Sequence, residues 1–256
     1  MNIDRVLGLG GIILGVIPFA GLWIRLLTTR RPARRFLGLD KDRPVEVIVS
    51  TSATRQAADG EAKSHTTAVG ELRAVAVGAR TVLPLYRHKK MSVFMSAEYP
   101  GRLQADVLLL GGPLRNRYSE TFLDFVNRKY PSAQLTLDAR ACLIGLGGRQ
   151  IVFDQRSRKG VPREDLALLV LASDAWSTEA HQRVVLCAGL STYGTEGAAR
   201  FLFQRLLGAS RESVLWRRQL SGQAVAAIVH VMVERGRSLG TELYEDLYWS
   251  ADGTTR

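Results

Sequence analysis

The sequence predicts a three-layer, Rossmann-like α/β domain with a mixed sheet and a β-hairpin-rich C-terminal part, preceded by one transmembrane helix. Three observations carry that prediction. An uncharged apolar stretch at residues 6–24 is followed at once by arginines, short β-branched or apolar runs recur along the rest of the chain, and amphipathic stretches of helical length fall between those runs.

As a helix, residues 6–24 span roughly 28 Å, close to the hydrocarbon thickness of a bilayer. Arg25, Arg30, Arg31, Arg34 and Arg35 follow, whereas only Arg5, balanced by Asp4, precedes. The rival readings are a buried soluble helix and a cleaved signal peptide. A signal peptide requires the opposite charge order and a small-residue cleavage site, and no clear Ala-x-Ala ends this stretch. The positive-inside rule places the N-terminus outside and everything after Arg25 in the cytoplasm, with the arginines against the anionic lipid of the inner membrane face. The localisation expected is therefore a single-pass protein of the plasma membrane. Gly11 and Gly15 form a GxxxG pair, a spacing that lets a second backbone approach closely. A homodimer through these glycines is one expectation. A merely flexible anchor is the other, because Gly8, Gly10, Gly21 and Pro18 occupy the same stretch.

The division expected is an anchor at 1–29, a basic juxtamembrane linker at 30–43, one domain at 44–249 and a flexible tail at 250–256. Residues 45–50 read as a β-branched strand and 51–65 as a polar loop with a mobile tip. Residues 66–85 read as a helix through Val69, Leu72, Val75, Val77 and Ala79, with Pro84 near its end. Strands follow at 91–96 and 105–110. Residues 119–130 form a helix candidate with Ser119 as N-cap and Phe122, Leu123, Phe125 and Val126 for burial. Short strands are expected at 134–137 and 141–146, the second turning through Gly147 and Gly148 into 150–154, ahead of a polar loop at 155–164. The continuous apolar runs 166–172 and 183–189 have the pattern of strands covered on both faces. A helix at 194–207 and a hairpin of 225–234 with 238–248, turning near Gly236, complete the order.

Apolar residues make up 46% and charged residues 23% of the chain, enough for a sizeable single core. The net charge of +11 does not point to nucleic acid, because part of the excess is the juxtamembrane cluster and the other arginines are scattered. Cys142 and Cys187 lack CxxC spacing, and His65, His88, His181 and His230 lack ligand spacing. No metal site is expected, and free thiols suit a reducing compartment.

In an open α/β sheet, ligands bind beyond the carboxyl ends of strands, where loops enter helix N-termini. Three small or hydroxyl-rich segments meet that description: Ser50, Thr51 and Ser52; residues 111–116, with Gly111, Gly112, Arg115 and Asn116; and residues 189–197, with Gly194 and Thr195. In the second, paired glycines remove the Cβ from a ligand's approach, and Arg115 and Asn116 are suited to a phosphate or a ribose. A simple strand-to-helix turn explains the same residues, and the phrase matches neither GxGxxG nor a P-loop. Glu120 and Glu196 stand in the first turns of the helices that follow, where the helix dipole favours an acid with or without catalysis. Asp106 and Asp174 are less well placed.

The phrase LLLGGPLRN resembles the strand-GGPxxN phrase of uncharacterised prokaryotic S-layer-associated Rossmann-like proteins, and CAGLSTYGTEGAARFL resembles their strand, glycine turn and following helix. A weaker similarity, resting on fold order and the GT-x-x-A helix start, links the chain to TIR-like and nucleoside deoxyribosyltransferase-like domains. This weaker similarity implies recognition of nucleotides and, in some relatives, cleavage of an N-glycosidic bond by a glutamate. Two classes of function follow. One is a membrane-anchored cytoplasmic domain that binds a small anionic or nucleotide-like ligand or a protein partner. The other is a nucleotide-processing enzyme in which Glu120 or Glu196 captures an oxocarbenium-like centre.

Overall fold

A computed structural model of the chain describes residues 30–56, 63–86, 90–101, 105–154, 157–158, 161–174, 182–208, 210–220 and 222–252. The expected anchor, with Gly11 and Gly15, lies outside the described residues. Among those described, no helix is long and apolar enough to cross a membrane.

Residues 30–43, expected as a polar linker, begin with helix α1 (Arg31–Leu37), which Gly38 closes at φ 69° by donating its N–H to Arg34 O. Ala33 and Leu37 are buried in the core, and the hydroxyl of Tyr86 donates to Arg34 O. The segment has a basic outer face and an apolar inner one, and the inner face makes it part of the domain.

Seven strands form the main sheet in the order β14-β13-β11-β12-β5-β1-β4. Strands β1 (Val45–Val49), β4 (Met91–Met95), β5 (Asp106–Leu110) and β12 (Arg183–Gly189) run parallel, and β11 (Glu164–Ser173), β13 (Ala224–Glu234) and β14 (Arg237–Ser250) extend the sheet through antiparallel pairs. The side chains divide with period two between the covering layers. Val45, Val47, Val49, Leu108, Leu110 and Val185 face one core, under α1, α2 (Val69–Leu85) and α4 (Thr192–Arg200). Ile48, Val107, Leu109 and Leu186 face the other, under α3 (Arg117–Lys129) and the small sheet of β6 (Thr136–Asp138), β7 (Leu143–Leu146) and β8 (Arg149–Val152). The predicted three-layer α/β architecture with a C-terminal hairpin is therefore present.

Several local expectations change. The polar stretch after β1 forms a ribbon of β2 (Ala53–Gln56) and β3 (Lys63–Thr66), and the loop after β8 holds the two-residue strands β9 (Ser157–Arg158) and β10 (Val161–Pro162). Helix α4 continues as a π-helical segment, Phe201–Leu206, and α5 (Arg211–Gln219) follows with Ser210 as its N-cap. Helix α3 starts at Arg117 and is capped by Asn116, whose side chain accepts from Tyr118 N, while Ser119 donates its hydroxyl to Gly111 O at 2.8 Å. Asn at the strand exit can clamp neighbouring carbonyls as well as cap, which a serine three residues on cannot.

Helix α4 lies so close to the sheet that a Cβ on Gly197 would sit 2.3 Å from Val231 Cγ2. Gly197→Ala is expected to cost about 1–3 kcal/mol through overpacking. Urea unfolding measures this, and an unchanged midpoint would contradict the close seating of α4 on β13.

Candidate functional site

The loops that leave β1, β5 and β12 meet at the carboxyl edge of the parallel strands. From β1 the chain passes through α2 to β4 on one side, while β5 pairs on the other side of β1 and borders β12. The crevice between the ends of β1 and β5 is thus where the strand order reverses, the usual ligand position in such sheets. A cleft of about 370 Å³ opens there, lined by Ser50 and Ser52 from the first loop, Gly112, Leu114 and Arg115 from the second, and Gly189, Leu190, Ser191, Thr192 and Thr195 from the third. Ala68 and Glu71 from the start of α2, and Ala139, complete the wall.

The helices that flank the cleft bring their N-termini together. A Cβ on Gly70, in the first turn of α2, would lie 2.3 Å from Thr192 O, at the start of α4. Arg115 adds a full positive charge at the mouth, whereas the first N–H groups of α4 are spent inside the protein, Tyr193 N on Ser191 Oγ and Gly194 N on Asp165 Oδ2. The α4 terminus is itself held in place by Asp165, which is fully buried on β11. Its Oδ2 accepts from Ser191 Oγ at 2.5 Å, Gly194 N at 2.6 Å and Ser191 N at 3.1 Å. Because β11 runs antiparallel to β12, its beginning lies beside the end of β12, which is how Asp165 reaches this loop.

Glu71 is the acidic side chain in the cleft wall. It is 6% exposed, and its Oε2 accepts from Thr67 Oγ1 at 2.6 Å and from Ser50 N at 3.1 Å. Burial raises its pKa above the ordinary 4.5, against the opposing pull of the Thr67 and Ser50 hydrogen bonds and of Arg115. A Cβ on Gly111, whose φ is +100°, would lie 1.9 Å from Ser50 Oγ and 2.8 Å from Glu71 Oε1. Glycine is therefore required there both for conformation and for space.

Of the residues expected at a site, Ser50, Ser52, Gly112, Arg115 and Thr195 line the cleft. Thr195 Oγ1 also accepts from Gly189 N at 3.1 Å. Gly111 and Gly194 shape the wall from behind, Gly194 by leaving room for Asp165. Asn116 is fully buried and its amide is used internally: Nδ2 donates to Ile48 O and Leu110 O, each at 3.3 Å. Thr51 bonds Ser96 and borders an adjacent open groove with Glu120 and Arg117, and Leu114 and Arg115 form the ridge between groove and cleft. Glu120 is exposed in that groove. Glu196 is fully buried outside the cleft lining, with Oε1 2.9 Å from Arg200 Nη2 and Oε2 3.5 Å from Arg73 Nη1. Asp106 and Asp174 stand at the opposite edge of the sheet, before β5 proceeds and after β11 ends.

Glu71 was not among the residues expected. Its signal was the one that singled out Glu120 and Glu196, an acid in the first turn of a helix that follows a strand and loop, but the polar stretch between β1 and α2 hid the link. Among the described residues no group of three His, Cys, Asp or Glu side chains is arranged to hold a metal ion. Cys187 lies in the core, where burial pushes its thiol pKa up. No protein-family model and no curated protein matches this chain.

Because the fold raises the Glu71 pKa, the folded chain holds more protons than the unfolded chain between 4.5 and the raised value, so this group's contribution to stability falls as pH rises through that interval. Glu71→Gln removes the titration. The urea midpoint of the variant relative to wild type is expected to rise with pH across that interval and then level off; a pH-independent difference would contradict the buried-carboxyl assignment.

Proposed function

We propose that the chain is a membrane-attached, Rossmann-like domain that binds a small anionic, nucleotide-like ligand in the cleft at the ends of β1, β5 and β12. The observation that carries this reading is the convergence of three separate loops at the point where the strand order reverses. Arg115 supplies the positive charge for a phosphate, and the hydroxyls of Ser52, Thr192 and Thr195 supply groups that pair with a sugar. Attachment to the membrane rests on residues 6–24 and the arginines after them, with the domain on the cytoplasmic side.

One observation favours a second reading, cleavage of an N-glycosidic bond. A buried carboxyl, Glu71, stands in the cleft wall, while Glu120 and Glu196 do not, so the glutamate role passes to Glu71 in that reading. As nucleophile, its carboxylate would attack the anomeric carbon as the base departs, and water would then release the sugar.

Thermal unfolding of the full chain in non-ionic detergent, across a panel of nucleotides and dinucleotides, tests the binding reading. A ligand present at about 100 times its Kd adds about 2.7 kcal/mol of stability. Arg115→Glu, at the exposed mouth, is expected to lose that shift while folding normally. Failure of every nucleotide to shift the protein, or a full shift in the variant, would refute the reading. Turnover that survives in Glu71→Gln would exclude the glycosidase version.

A further inference from the structure

We propose that a second cavity, at the opposite edge of the sheet, binds a phosphate group carried on an apolar chain. This cavity of about 860 Å³ lies between α1, α5 and the ends of β11, β12 and β13, within the size range of small-molecule sites. Four arginines line it, Arg35, Arg183, Arg217 and Arg218, and none of its lining residues is acidic. Pro32, Phe36, Val214 and Leu220 give it an apolar wall. A site for a free inorganic anion has no use for that wall, whereas an amphiphile uses both halves.

Arg217 supplies the second, independent sign of a ligand. It is 7% exposed, and its Nη1 donates to Leu206 O at 2.5 Å and Gly208 O at 2.8 Å. Its Nη2 is buried with no hydrogen-bond partner among the described residues. An unsatisfied donor on a buried cation is costly, and a phosphate oxygen that reaches Nη2 removes that cost.

Arg183 contributes in the same direction. It is 5% exposed, and its guanidinium donates to neutral oxygens, Leu37 O, Ser173 Oγ and Gln223 O. Burial lowers its pKa to about 10. Three acids stand near the cavity, outnumbered by its four arginines: Asp106, which accepts the backbone N–H of Arg183 and whose charge offsets part of the lowering of the Arg183 pKa, Asp174, next to Ser173, and Asp252, beside Gly222.

Such a phosphate could come from a membrane lipid or from solution. The preference for a lipid rests on the proposed membrane attachment: Pro32 is at most roughly 28 Å of extended chain from the end of the apolar stretch at residue 24, so an anchor there would put the cavity within reach of a bilayer surface. The assignment does not rest on the nucleotide cleft, which lies at the other edge of the sheet.

Thermal unfolding of the full chain in non-ionic detergent, titrated with dihexanoyl phosphatidic acid, dihexanoyl phosphatidylcholine or inorganic phosphate, tests it. Phosphatidic acid is expected to raise the midpoint, phosphatidylcholine to leave it unmoved, and inorganic phosphate to require at least about tenfold more for the same effect. Arg217→Gln is expected to abolish the response, and Arg35→Glu, at an exposed position, to weaken it about tenfold with circular dichroism unchanged. If Arg217→Gln fails to fold, Arg35→Glu decides alone. Arg115→Glu is expected to keep the response, which separates this site from the cleft. Equal response to inorganic phosphate and phosphatidic acid would overturn the amphiphile assignment, and equal response to phosphatidylcholine, or none in any arm, would overturn the site.

Discussion

Asn116 joins the carboxyl ends of β1 and β5. Its Nδ2 donates to Ile48 O and Leu110 O, and its Oδ1 accepts from Tyr118 N to start α3. Ile48 lies near the end of β1 and Leu110 closes β5, so one buried amide ties two neighbouring strands together at their exits and caps a helix as well. The position of the second loop, and so of Arg115, depends on this clamp. Ser119 adds to it by closing on Gly111 O.

Two other buried polar groups perform the same service for the remaining walls. Asp165 collects three donors from the start of α4 and fixes the third loop against β11. Glu196, between Arg200 and Arg73, joins α4 to α2, and Arg73 extends the link to Gly236 O in the turn of the last hairpin at 2.7 Å. A buried charge held between two cations and packed among helices positions elements more than it adds net stability. The cleft is thus built from groups whose own hydrogen-bonding capacity is largely spent inside the protein, leaving Arg115, Ser52, Thr192 and Glu71 to face it.

Much of the fold was legible because burial has a period. The continuous apolar runs around Leu168 and Leu186 belong to strands covered on both faces, and the alternation in the final hairpin places Val229 and Val231 inward. Helix α1 was hidden because arginines dominate its composition and two buried residues, Ala33 and Leu37, carry its packing. The site was legible as loops, since glycine and hydroxyl residues at strand ends have a conformational reason to be there. Individual roles were not. Whether Asn116 turns toward a ligand or toward two carbonyls, and whether an acid in a first helical turn faces a cleft as Glu71 does or an arginine pair as Glu196 does, depends on strand order, which local spacing does not encode.

On the proposed reading, three loops form one binding surface. Amide hydrogen exchange on the full chain, with and without a saturating mixture of nucleotides and dinucleotides, tests it most directly, because binding protects the backbone it orders. Protection is expected to rise together in residues 50–52, 111–115 and 189–195. Protection confined to one of these loops, or found only elsewhere in the domain, would contradict it.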